Sequence, residues 1–154
     1  MNKKSFQIIY FCLFLFEVIT ADDLDETLQI EKRIKDTIIN KNYDKSIRPS
    51  VSVSILMDIA LKQIVAIDEK NQFMTTASYL FVKWYDPRLK WNSSLSHNID
   101  SVSVLAKSIW LPDLFITNTA DTNGFITVTD SNLAFVENNG NVKLTLGLIG
   151  NYDY

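Results

Sequence analysis

The side chains that most often perform chemistry are scarce in this chain. His97 is the only histidine and Cys12 the only cysteine among 154 residues. A metal centre needs several His, Cys, Asp or Glu donors at ligand spacing, and His97 has no plausible partners. Covalent catalysis needs an activated nucleophile, and no reactive thiol is available. One motif does carry a defined modification: Asn92-Ser93-Ser94 is the single N-x-S/T sequon and lies in a polar stretch, so Asn92 is a candidate N-glycosylation site. The balance of 15 Lys+Arg against 18 Asp+Glu gives a net charge of −3, which argues against binding a polyanion. No enzyme, cofactor, metal or nucleic-acid partner is implied. What remains is a binding or interaction module.

Positioning elements can be read from periodicity. Residues Asp22 to Asn42 read as a helix, with Asp22 or Asp23 as N-cap and Asp25 and Glu26 near its positive end. Leu24, Leu28, Ile30, Ile34 and Ile38 form its narrow apolar stripe. From Val51 the period changes to two, which predicts a long half-buried strand over Val51 to Leu61, running on to Ile67. The charged stretch Asp68 to Gln72 is a turn, and a second strand, Phe73 to Trp84, returns from it. Around Tyr79-Leu80-Phe81-Val82 that strand is apolar on both faces. One face should meet a core, and a subunit contact is one way to cover the other. Arg88 to Asn98 reads as loop and Ser101 to Trp110 as a short β-rich stretch. Strands follow at Phe125 to Thr129, Leu133 to Val136 and Val142 to Leu148. Asn138-Asn139-Gly140-Asn141 is a hairpin signal, because Asn and Gly tolerate positive φ. One helix followed by many short strands predicts a mainly β fold, a β-sandwich with an N-terminal helix.

Residues 1–21 read as a secretory signal. Lys3 and Lys4 precede an apolar run from Ile8 to Phe16, and Ala21 is the small residue before Asp22. Gln7 and Glu17 confine the run below the length of a membrane span. Cleavage after Ala21 leaves a domain over 22–154 without Cys12, hence without a disulfide.

Several segments together resemble the extracellular ligand-binding domain of the pentameric Cys-loop neurotransmitter-gated ion channels, on their nicotinic and serotonin-gated side. Tyr43-Asp44-Lys45-Ser46-Ile47-Arg48-Pro49 resembles the family's entry after its N-terminal helix. Asp68 to Gln72 followed by Thr75-Thr76 resembles its first hairpin, and Trp84-Tyr85-Asp86-Pro87-Arg88-Leu89-Lys90-Trp91-Asn92 its W-x-D-x-x-L-x-W-N stretch. Ile109-Trp110-Leu111-Pro112-Asp113 resembles its W-x-P-D signature, with Asn118, Ala120 and Asp121 matching the N-x-A-D that often follows. The resemblance covers Leu24 to about Leu146. It implies an immunoglobulin-like β-sandwich, incomplete at the C-terminus, because the Cys-loop disulfide, two binding loops and the four membrane helices would follow this stretch.

The resemblance also implies a site. Family members bind transmitter between neighbouring subunits in an aromatic box suited to an amine. Tyr79 matches the aromatic position of the complementary face, and Phe81 shares its side. Phe135, Lys143 and Thr145 fall on the other strands of that face, where Lys143 either repels a cation or is a solvated surface residue. Thr117 stands where agonist-binding nicotinic subunits carry Tyr on the principal face. Trp84, Trp91, Trp110, Pro112 and Asp113 are framework residues, with the Asp113 carboxylate expected to tie loop N–H groups. The implied partners are a small-molecule transmitter and neighbouring receptor subunits, at the extracellular side of the plasma membrane. Two rivals stand beside this reading: a secreted form acting as a decoy or assembly modulator, and an unrelated secreted β-sandwich such as an adhesin or lectin.

Overall fold

A computed structural model describes residues 25–40, 42–93, 97–117, 119 and 124–153. The expected signal over 1–21, the N-cap at Asp22 or Asp23, Leu24, Ser94 of the sequon, and Asn118, Ala120 and Asp121 lie outside the described residues.

Helix α1 spans residues 25–38. Ile30, Ile34 and Ile38 recur every four residues, so they share one face, and all three are buried. Leu28, expected in the same stripe, is exposed instead, since a two-residue offset turns it away from the Ile30 face. Glu31 and Lys35 pair across one turn at 2.8 Å. The Asn40 side-chain amide donates to the Thr37 carbonyl at 2.7 Å and satisfies a terminal acceptor.

Among the described residues the strands form one antiparallel sheet of five: β1 (Leu56–Asp68), β2 (Phe73–Tyr85), β3 (Ser101–Leu105), β4 (Leu133–Glu137) and β5 (Asn141–Asp153), in the spatial order β1-β2-β5-β4-β3. The longest pairing joins β2 to β5 from Phe73↔Asp153 to Tyr85↔Asn141. Successive side chains alternate between faces. Leu80, Val82 and Trp84 of β2, Val142, Leu144 and Leu146 of β5, Ala134 and Val136 of β4, and Val102 and Val104 of β3 point inward and are buried. The isoleucines of α1, with Leu89, Ala106 and Ile109, complete this core, and Leu111, Leu114, Ile126 and Val128 pack partly against it.

Three sequence expectations need correction. The first strand begins at Leu56, not Val51. The Ser50 hydroxyl donates to the Ser52 carbonyl, a local bond that competes with a ladder, and residues 49–52 bend. Nor is the strand half-buried. Met57, Ile59 and Leu61 lie opposite Val82, Leu80 and Ser78 on the inner face, yet stay about 60% exposed (60%, 60% and 59%). β1 is an edge strand and nothing described lies across from its inner side. Second, Phe125 to Thr129 is not a strand beyond an isolated bridge, Phe115↔Phe125. Thr129 turns its hydroxyl and N–H to the Asn132 side chain, both at 2.7 Å. Third, β5 runs past Leu148 to Asp153, because β2 offers a partner at every position. Among the described residues no helix is long and apolar enough to cross a membrane.

Candidate ligand-binding face

The sheet face opposite the core carries the candidate residues. Odd-numbered residues of β2 point outward, so Tyr79, Phe81, Lys83 and Tyr85 are exposed while their even-numbered neighbours are buried. Register then assembles rows across the strands. Tyr79 lies between Ala60 and Gly147; Phe81 lies between Asp58 and Thr145; Lys83 lies between Leu56 and Lys143, with Phe135 beyond. Five of the six expected ligand residues (Tyr79, Phe81, Phe135, Lys143 and Thr145) thus share one face. Tyr79 is 41% exposed, Phe81 36% and Phe135 52%, a large aromatic area for a surface to leave in water.

Two lysines qualify this face. The Lys62 ammonium stands 5.7 Å from the centroid of the Tyr79 ring, within cation–π reach. A bulge between Leu61 and Gln63 gives Lys62 an irregular place in β1. Lys143 is paired with Glu137. That pair, followed by the Asn141 amide, holds the Glu137 carboxyl below its usual value. Lys143 thus has an ion-pair partner within its own chain while its side chain stays about half exposed.

Thr117 does not join the row. It is exposed in a ribbon whose Thr119 bridges Tyr152, at the opposite end of β5 from Lys143. Ile116, Phe125 and Ile126 of this ribbon line a separate cleft with Leu148 and Tyr152.

The framework residues behave unequally. Trp84 is buried and meets Trp110 edge-on, with ring centroids 6.3 Å apart. Trp91 donates its indole N–H to the Ile99 carbonyl at 3.1 Å. Pro112 is half-buried. Asp113 is exposed, and its carboxylate accepts no hydrogen bond among the described residues, which leave out 118 and 120–123 of the loop that follows. Asn92 is exposed beside α1, in a cleft with Arg33 and His97.

Anchoring falls to a cluster that periodicity does not reveal. Asp86 is fully buried and receives both Nε (2.8 Å) and Nη2 (2.7 Å) of Arg88, a bidentate pair. Asp86 also caps the 3-10 turn Pro87–Leu89 by accepting the Arg88 N–H at 3.0 Å. The Arg88 Nη1 reaches the carbonyls of Asp44 (3.0 Å) and Ile47 (2.8 Å), tying the chain after α1 to the end of β2. The Tyr43 hydroxyl donates to Asp86 at 2.9 Å and accepts the Trp110 N–H at 2.9 Å. Burial, above all, pushes the Tyr43 phenol up to about 12. The Asp-Pro pair was the available signal, since Asp before Pro at N1 marks a capped turn. Arg88 is only two residues on, but the Tyr43 partner, 43 residues away, was hidden by sequence distance.

Comparison with known proteins supplies the remaining context. The family model for the neurotransmitter-gated ion-channel ligand binding domain matches residues 31–151. The chain is 38% identical over 117 residues to the neuronal acetylcholine receptor subunit beta-4 of Homo sapiens, covering 73% of this chain and 23% of that protein. The beta-4 subunit of Rattus norvegicus is 35% identical over 118 residues, with the same coverage. Ligand-gated ion channel 4 of Caenorhabditis elegans is 36% identical over 104 residues, or 65% of this chain and 16% of that protein. The chain thus spans less than a quarter of the length of these relatives.

Proposed function

Because the chain belongs to the neurotransmitter-gated ion-channel ligand binding domain family, we propose that its outer sheet face supplies one half of a transmitter site completed by a neighbouring subunit. The observation that carries this reading is the exposed pair Tyr79 and Phe81, flanked by Thr145 and held by a rigid, fully paired β2. Rings on a strand keep a fixed spacing, which preorganises them for a ligand or an apposed chain. The ring faces attract a cation and shed water on contact, so a protonated or quaternary amine suits them. Thr117 lies apart from this row, in keeping with a subunit that offers one side to each of two neighbours. In the longer receptor the domain stands at the extracellular side of the plasma membrane, and occupancy of the site opens the pore.

The test is agonist response in an assembled receptor that contains this segment. Replacing Tyr79 by Ala should weaken an amine agonist by roughly 0.5–2 kcal/mol, the span of a cation–π contact, while Tyr79→Phe should retain most of the response. Unchanged potency of Tyr79→Ala at normal surface expression would leave Tyr79 a packing residue.

A further inference from the structure

We propose that the cleft between Lys83 and Lys143 is a second binding site, one that takes a small carboxylate with an apolar body. The cleft has a volume of ≈ 500 Å³, within the range of small-molecule sites. Lys83, Lys143, Tyr85, Leu56, Ser54 and Asn141 line it. It lies at the Tyr85 end of the outer face, and Lys83 is four residues along β2 from Tyr79, roughly 13 Å at strand rise. Neither Tyr79 nor Phe81 lines it.

Register supplies the charge argument. Lys83 and Lys143 stand directly opposite each other on β2 and β5. Directly opposed like charges on one sheet face repel. The one carboxylate in the cleft, Glu137, is already engaged: it pairs with Lys143 and accepts the Asn141 amide at 3.2 Å and the Asn139 amide at 3.4 Å. Lys83 is exposed and forms no ion pair among the described residues. Its register partner in β1 is the apolar Leu56, and Asp58, the outward carboxylate of that strand, sits one diagonal step away opposite Phe81. An anion placed between the two ammonium groups would offset their repulsion and give Lys83 its missing partner. The exposed Leu56 side chain and the Tyr85 ring provide the apolar wall. Lys90 stands 5.1 Å from the centroid of the Tyr85 ring and adds positive potential to that side. Charge and shape therefore select a compact carboxylate with an aromatic or aliphatic body over an amine of the same size.

The experiment titrates the 154-residue chain with sodium benzoate and, separately, with benzamide, its neutral counterpart of the same shape, by ligand-observed NMR. Benzoate should bind roughly three- to fivefold more tightly, the scale of an exposed ion pair, and the difference should shrink with added salt. Lys83→Gln should erase the preference, Lys83→Arg should keep it, and Lys70→Gln, in the β1–β2 turn, should not alter it. Lys83 is exposed and its loss relieves a repulsion, so Lys83→Gln should preserve the near-ultraviolet circular dichroism of the fold. Equal binding of benzoate and benzamide to the unaltered chain would overturn the proposal. So would a preference that survives Lys83→Gln.

Discussion

Gly140 and Asp86 approach so closely that no side chain fits between them. The Asp86 N–H donates to the Gly140 carbonyl at 2.9 Å, and a Cβ on Gly140 would fall 2.7 Å from the Asp86 carbonyl oxygen. Gly140 also has φ of +88°, a region where other residues are strained. The β4–β5 turn is thereby locked onto the end of β2 at the residue that anchors Arg88. Gly140→Ala should cost about 1–3 kcal/mol of stability from backbone strain, with the steric contact adding to it. Chemical denaturation reads this directly, and an unchanged midpoint would refute the close approach.

The Tyr43 phenol, pushed up from 10.0 to about 12, ties stability to alkaline pH. A raised folded-state pKa means the folded chain keeps its proton after the unfolded chain has lost one. The resulting stability is complete below pH 10 and drains away as pH rises toward 12. Tyr43→Phe should flatten the loss of stability between those values. It should also lower stability at neutral pH, because the Trp110 N–H and a buried Asp86 oxygen lose a partner. Denaturation midpoints measured from pH 8 to 12 for both proteins provide the comparison. An identical alkaline slope would count against it.

Lys62 occupies the ring that the proposed transmitter site would offer. With its ammonium 5.7 Å from the Tyr79 centroid, it competes with a ligand cation for the same face and repels it. In an assembled receptor, Lys62→Ala should therefore raise the potency of an amine agonist by roughly two- to fivefold, the scale of an exposed cation–π contact. Lys62→Arg should not. Concentration–response curves for the two variants decide the matter, and equal potencies would mean that Lys62 does not compete at Tyr79.

Elements whose signal lies in neighbouring residues were legible in the sequence. Tyr79 and Phe81 against Leu80 and Val82 alternate as a strand between core and water must, and their exposures follow that pattern. Ile30, Ile34 and Ile38 marked the helix face in the same way. Features set by distant partners were not legible. Gly147 and Gly150 argue against a strand locally, yet pairing with Tyr79 and Thr76 carries β5 to Asp153. The charge on Lys143 looked unfavourable for a binding face until Glu137, across the turn, was seen to pair with it. Asp86 and Arg88 hold the framework together through Tyr43 and the Asp44 carbonyl, partners 43 and 44 residues away in the chain.

The strand order has a consequence for how this domain is assembled as it is made. β5 is the last of the described strands in sequence but lies in the middle of the sheet, between β2 and β4. Until it is in place, β1 and β2 form one piece and β3 and β4 another, with no ladder between them. Thr75 and Asn151, whose side chains meet at 2.6 Å, are 76 residues apart in the chain. Closing so long a loop costs entropy before any contact rewards it, which makes the step slow. A growing chain therefore carries Phe81 and Phe135 on separate ladders until β5 has been made. The two rings come onto one continuous face only when the thirteen-residue β5 pairs between their strands.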